Sequence, residues 1–303
     1  SFHVTGVQTC ALPIFHTLAN ETTEAYEGAR EKVRAFINAG SVNEIIFTKG
    51  GTEAINLVAN GIADEIQPGD EIVLSIMEHH SNIVPWHFLR ERYGAVLKWV
   101  DIDDTGALDM AAFEAALSEK TRMVAITHMS NVLGTVTDAA EIVRLAHTAG
   151  AEVLFDGCQA GVHLEVDVQA LGCDYYVMTG HKIYGPSGIG ALYGKASALA
   201  RLRPFQGGGE MIEIVERERV TYNEAPHKFE AGTPPILQAI GFGAALDWLN
   251  QFDKAAVLAH EHAVYQRAYD AVRGINGLRV HGTAPGKGAV LSFSMDGAHP
   301  HDL

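Results

Sequence analysis

Apolar positions along this chain follow two spacings in alternation. Short runs dense in Val, Ile, Leu, Met, Phe and Tyr occupy 44–48, 71–75, 96–100, 123–127, 152–156, 175–179 and 190–193, and each predicts a strand. Between them the apolar residues shift to helical spacing. Ile55, Val58, Ala59 and Ile62 fall at i, i+3, i+4 and i+7, as do Ile142, Leu145, Ala146 and Ala149. The second of these helices opens with Asp138 and Glu141 in capping-box spacing and stops at Gly150. Another helical pattern starts near His16. Strands alternating with helices predict an α/β fold, with a mostly parallel seven-stranded sheet sandwiched by helices. Helices over 236–252 and from 254 to about 272 lead out of that domain, and 278–281 and 289–295 read as the first strands of a smaller one. The predicted division is 15–252 for a large domain and 253–303 for the start of an incomplete small α/β domain.

Composition narrows the possibilities. With 303 residues, 47% of them hydrophobic, the chain can bury a sizeable core. Its 22 Lys and Arg against 37 Asp and Glu give a net charge of −15, which leaves no basic face for nucleic acid. No apolar run approaches the roughly 18 residues that span a bilayer, so no membrane role is expected. Cys10, Cys158 and Cys173 are too widely spaced for a disulfide framework or a zinc set, and a cytoplasmic location is expected. Segment 4–14 has no hydrophobic period and resembles the in-frame translation of a sequencing adapter. Residues 1–14 are therefore expected to be a non-native scar. The other end stops just after the strand expected at 289–295, so the chain reads as a fragment cut at both ends.

Ligands of open α/β sheets gather where strands end. After 44–48 comes KGGTEAIN, in which Gly50 and Gly51 permit a tight turn and Thr52 starts a helix. Amides at that helix start and the Thr52 hydroxyl suit a phosphate, although such a turn can also be no more than a turn. Strand 152–156 runs into FDGCQ. Asp156 there reads either as a loop anchor or as a carboxylate beneath a cationic ring nitrogen, with Gln159 able to donate a hydrogen bond. Strand 175–179 runs into TGHKIYGPSGIG, where Lys182 has Thr179 and His181 beside it. A lysine pressed into a desolvated site of this kind can form a Schiff base.

MEHHSNIVPW offers His79 as a flat ring over an aromatic cofactor. The neighbours His79 and His80 are poor joint metal ligands, and the pairs His260–His262 and His299–His301 are equally unsupported. HMSNVLGT offers Asn131, a turn former that could reach a phenolic oxygen or a substrate carboxylate. Together these pieces describe one site with a phosphate cradle, a stacking ring, a carboxylate for a pyridinium nitrogen, an amide for a phenolic oxygen and a Schiff-base lysine. Pyridoxal 5′-phosphate needs all five.

From Phe15 to Leu303 the chain resembles cysteine desulfurases of the SUF type, in the class V aminotransferase family with the PLP-dependent fold type I architecture. The stretches that carry the resemblance are FHTLANETTEAYEGAREKVRAFINA, KGGTEAINLVAN, MEHHSNIVPWH, THMSNVLGT, FDGCQA, GHKIYGPSGIGALYG, GGGEMI and FEAGTP. The resemblance implies that Lys182 holds the cofactor and moves protons, and that His79 stacks on its ring and assists acid–base steps. It implies Asp156 at the pyridinium nitrogen and Gln159 at the phenolic oxygen. Gly51, Thr52, Thr179 and His181 would hold the phosphate. Asn131, counted with the cofactor-binding residues, would contact the substrate, and Thr233 would reach the partner's phosphate in a homodimer.

The reaction implied is L-cysteine to L-alanine, with sulfur left as a persulfide on an enzyme cysteine for a SUF-type acceptor protein and iron–sulfur cluster assembly. The family's persulfide cysteine, in an RxGHHC loop, and its substrate-carboxylate arginine lie beyond the position matching Leu303. Neither Cys158 nor Cys173 is expected to stand in, so the chain is expected to bind the cofactor without turning over cysteine. Selenocysteine lyase and cysteine sulfinate desulfinase share the visible residues. From other classes, an inactive binding protein with the same fold and a metalloenzyme using the His pairs are the rivals.

Overall fold

The computed structural model describes residues 17–302, so the scar expected at 1–14, with Cys10, lies outside the described residues. Strands β1 (Ile45–Thr48), β2 (Glu71–Ser75), β3 (Val96–Val100), β4 (Thr121–Thr127), β5 (Glu152–Asp156), β6 (Tyr175–Thr179) and β7 (Gly190–Gly194) form one sheet in the order β1-β7-β6-β5-β4-β2-β3. β8 (Ile212–Val215) with β9 (Val220–Tyr222), and β10 (Leu278–His281) with β11 (Ser292–Met295), make two separate hairpins. The helices are α1 (Thr17–Phe36), α2 (Gly51–Gly61), α3 (Val84–Tyr93), α4 (Met110–Ala116), α5 (Ala139–Thr148), α6 (Ala160–His163), α7 (Val168–Leu171), α8 (Ala196–Arg201), α9 (Ile236–Leu249) and α10 (Lys254–Val272). No described helix is long and apolar enough to cross a membrane.

All seven expected sheet strands are present. β1 begins a residue late because Val42–Glu44 forms a 3-10 turn, closed by reciprocal hydrogen bonds between Ser41 and Glu44. α9 stops at Leu249, short of the expected 252, because Asp253 caps the next helix by accepting from the Ala255 and Ala256 amides. β11 starts at Ser292, three residues after the expected 289.

The chain divides into two compact units. One holds residues 17–66 with Val166–Leu249. Here β7 pairs antiparallel with both β1 and β6. α1 turns Tyr26, Ala29, Arg30, Val33 and Phe36 inward and packs on α9. A Cβ at Gly243 would lie 2.9 Å from Ala29 Cβ, so a glycine there lets the two helices touch.

The other unit holds Gln67–Glu165 with residues 250–302. Its β2 pairs in parallel with β3 and β4, and β4 with β5. α5 starts as expected, with Asp138 accepting from the Glu141 amide, and buries Ile142, Leu145 and Ala146. α10 buries no residue, which agrees with its even mixture of polar and apolar positions.

Candidate active site

In the first unit the loop from β1 to α2 is shaped by glycine. Gly50 has φ 153°, and no side chain caps the start of α2. The amides of the first helical turn are therefore left for another acceptor, and the helix dipole favours an anion there. A Cβ at Gly190 would lie 2.6 Å from Met178 O and 2.7 Å from Gly50 Cα, so only glycine in β7 lets the loop come this close.

β6 delivers Thr179, which is 3% exposed, to the same place. Its hydroxyl is 3.1 Å from His181 Nδ1. Gly51, Thr52, Thr179 and His181 line one cavity of about 490 Å³, with Lys49, Glu53 and Phe205 also on its walls. Amides, two hydroxyls and an imidazole around a helix start suit a phosphate monoester.

Lys182 ends the 3-10 turn Gly180–Lys182 that follows β6. It is half-buried, not pressed into a fully desolvated place. Thr233 is exposed on the loop before α9 and does not line this cavity.

The second unit carries the other candidates. His79 and Asn131, both exposed, line one cavity of about 400 Å³ together with Ile76, Ile102, Val132 and Leu133. Asp156 is buried at the end of β5, opposite Thr127 of β4, and accepts from the Cys158 amide at 3.0 Å. Gln159, half-buried, precedes α6.

Among the described residues no group of three His, Cys, Asp or Glu side chains is arranged to hold a metal. The His79 and His80 rings are 6.1 Å apart and tilted, as neighbours in a turn would be.

Sequence reading missed Glu78. Its carboxyl is pushed up to about 8 by burial, with the charge of Asp156 adding, while hydrogen bonds from Ser75, Thr127 and Asn82 pull the other way. The signal available in the sequence is an acidic residue directly before His79 in the loop that follows β2. It missed Arg30 as well, which lies 1% exposed in the inward stripe of α1 and pairs with Glu230 of FEAGTP at 2.6 Å.

Residues 10–303 match the Aminotransferase class-V family. A protein of Streptomyces coelicolor named "Probable cysteine desulfurase" is 49% identical over 295 residues, covering 95% of this chain and 71% of that protein. The solved cysteine desulfurase CsdA of Escherichia coli, in its S-sulfonic acid form, superposes with a TM-score of 0.90 at 38% identity over 95% of this chain and 72% of that one. C-DES, solved with glycine covalently linked to its PLP cofactor, superposes with a TM-score of 0.81 at 25% identity over 95% and 77% of the two chains. A family match over nearly the whole chain means that the chain belongs to the class-V aminotransferase family.

Proposed function

We propose that this chain is the cofactor-binding part of a pyridoxal 5′-phosphate-dependent cysteine desulfurase. L-cysteine and an enzyme thiol would give L-alanine and the enzyme persulfide, a balanced exchange that needs no outside oxidant. The observation that carries the reading is the uncapped start of α2, with Thr179 and His181 around the same cavity and Lys182 next in the same turn.

Bound there, the cofactor would supply a cationic ring that draws electrons from the substrate α carbon. Gly51, Thr52, Thr179 and His181 would hold its phosphate, and Lys182 its aldehyde carbon. The Lys182 amine, once displaced by substrate, would move the proton at the α carbon. Asp156 would keep a proton on the ring nitrogen, Gln159 would donate to the phenolic oxygen and His79 would cover the ring. Asn131, which shares a cavity with His79, would contact the substrate.

Two described cysteines are poor sulfur acceptors. Cys158 and Cys173 are both buried, and burial, with Asp174 adding, pushes the Cys173 thiol up to about 12. Iodoacetamide should leave both unlabelled in the native chain and label both after unfolding, as read by mass spectrometry. In this reading the protein works in the cytoplasm as a homodimer, with Thr233 reaching the partner's phosphate, and passes its sulfur to a SUF-type acceptor for iron–sulfur assembly. The family resemblance supports that part.

The deciding experiment is the visible spectrum of the purified chain with pyridoxal phosphate, beside Lys182→Ala. A yellow band present in the parent and lost in the variant is the expected result. No band in folded parent protein defeats the reading.

A further inference from the structure

The turn that presents His79 is held from inside. β2 ends at Ser75, and three residues on the Glu78 side chain turns into the protein, leaving the residue 7% exposed. Its Oε1 is 2.6 Å from Ser75 Oγ and accepts from the Thr127 amide, at the end of β4, at 2.9 Å. Its Oε2 accepts from Asn82 Nδ2 at 2.7 Å. The Asn82 amide cannot turn over, because the buried Trp86 indole N–H donates to its Oδ1 at 3.1 Å.

The Asn82 backbone N–H donates to His79 O at 2.7 Å and closes the turn. On the outer side the Ser81 amide donates to His79 Nδ1 at 3.2 Å, and Ser81 Oγ lies 2.7 Å from the same nitrogen. A ring nitrogen that accepts an amide N–H keeps its lone pair, so this network assigns the proton of the neutral imidazole to Nε2.

We propose that Glu78 is a positioning residue for His79: the Ser75–Glu78–Asn82–Trp86 network anchors the 78–82 turn to the ends of β2 and β4 and so fixes the orientation and the Nε2–H form of the His79 ring. The positioning stands without cofactor; only its consequence for binding rests on the reading of His79 as the ring over pyridoxal phosphate. Neutral acid and carboxylate both satisfy the network, since the Ser75 hydroxyl can give or take the shared proton. Asn82 and Thr127 can only donate to Glu78. An amide at 78 therefore fails, because its NH₂ meets one of these donors whichever way it turns. The paired exchange Glu78→Gln with Asn82→Asp restores complementarity: the amide NH₂ then faces a carboxylate, which still accepts from Trp86.

The test uses the full chain labelled with ¹⁵N-histidine and free of pyridoxal phosphate, with the His79 ring resonances assigned by their loss in His79→Ala. The parent should show one population protonated at Nε2. Glu78→Gln should shift or broaden both ring nitrogens, and the paired exchange should return them to the parent values. In a second arm pyridoxal phosphate is titrated by absorbance. Glu78→Gln should weaken binding about tenfold, equivalent to roughly 1.4 kcal/mol, and should add nothing in a His79→Ala background.

A merely structural effect would weaken binding by the same factor in both backgrounds, and that result counts against the proposal. Ring resonances unchanged by Glu78→Gln, or unrestored by the paired exchange, overturn it whatever the titration shows. If His79→Ala binds pyridoxal phosphate as well as the parent, the cofactor reading of His79 fails while the resonances still decide the positioning. Should Glu78→Gln not fold, a folded paired exchange with parental resonances supports the network, and an unfolded one overturns it.

Discussion

Glu230, in the unit that carries Lys182, and Glu78, in the unit that carries His79, are both drawn inside, and each anchors a segment that bears a candidate site residue. Glu230 is met by a cation. Arg30 donates to its two oxygens at 2.6 and 2.9 Å, the Phe47 amide donates at 2.7 Å, and the Tyr26 hydroxyl donates at 3.1 Å. The guanidinium lies 4.6 Å from the Phe47 ring centroid. Burial works against the Arg30 charge, but the hydrogen bonds and attraction of Glu230 and Glu27 outweigh it and hold the proton more tightly than usual. Glu78 meets only a hydroxyl and two amide groups. The nature of the donors separates the two sites: Glu230 faces a full opposite charge, whereas Glu78, held by neutral donors and buried, has its carboxyl pushed up to about 8.

The largest effect should come from removing the charge of Glu230. Glu230→Gln leaves Arg30 buried with only the partly exposed Glu27 for a counter-charge, and such a loss costs about 3–5 kcal/mol. Urea unfolding measures it. A cost below about 1 kcal/mol would mean that the cation does not separate the two glutamates.

Glu78→Gln should cost less, about 1–3 kcal/mol, and its cost should depend on pH. The folded-state carboxyl titrates at about 8 and the unfolded one near 4.5, so the native chain holds the extra proton between those values. The contribution of Glu78 is thus complete below about pH 4.5 and declines as pH rises through about 8, by at most roughly 1.4 kcal/mol per pH unit. The gap between parent and variant should narrow from pH 5 to pH 8. A gap that widens would place the titration on the other side, with an ionised Glu78 stabilised by its donors against the nearby Asp156 charge.

Much of the frame could be read from the chain because its signals are local. β2, β3, β5 and β6 lie at the expected bounds, since each is a short apolar run closed by a turn. The Gly50–Gly51 turn is legible for the same reason: a backbone that needs glycine announces it. The hairpin of β8 and β9 escaped notice because Glu213 and the run Glu216–Arg219 look like a solvated loop. Arg30 and Glu78 escaped for a deeper reason. Arg30 reads as one polar residue in an apolar stripe, and its partner is 200 residues away. Glu78 reads as loop polarity, and its burial depends on the end of β4, which no spacing near residue 78 reports.

The smallest effect sharpens the comparison most, because the shortest contact distance is held constant. Lys32, two residues along α1 from Arg30, meets Asp247 of α9 at 2.6 Å, the same length as the Arg30–Glu230 contact. Side-chain exposure differs, at 41% and 54% for the outer pair against 1% and 9% for the inner one. Water already solvates the outer charges and salt screens them, so the outer contact is worth little despite its length. Asp247→Asn should change stability by no more than about 0.5 kcal/mol, with the difference vanishing at high salt. Unfolding in low and high salt measures it. A cost that matched Glu230→Gln and survived salt would show that distance, not burial, governs ion pairs on this helix. Burial would then not be what separates Glu230 from Glu78.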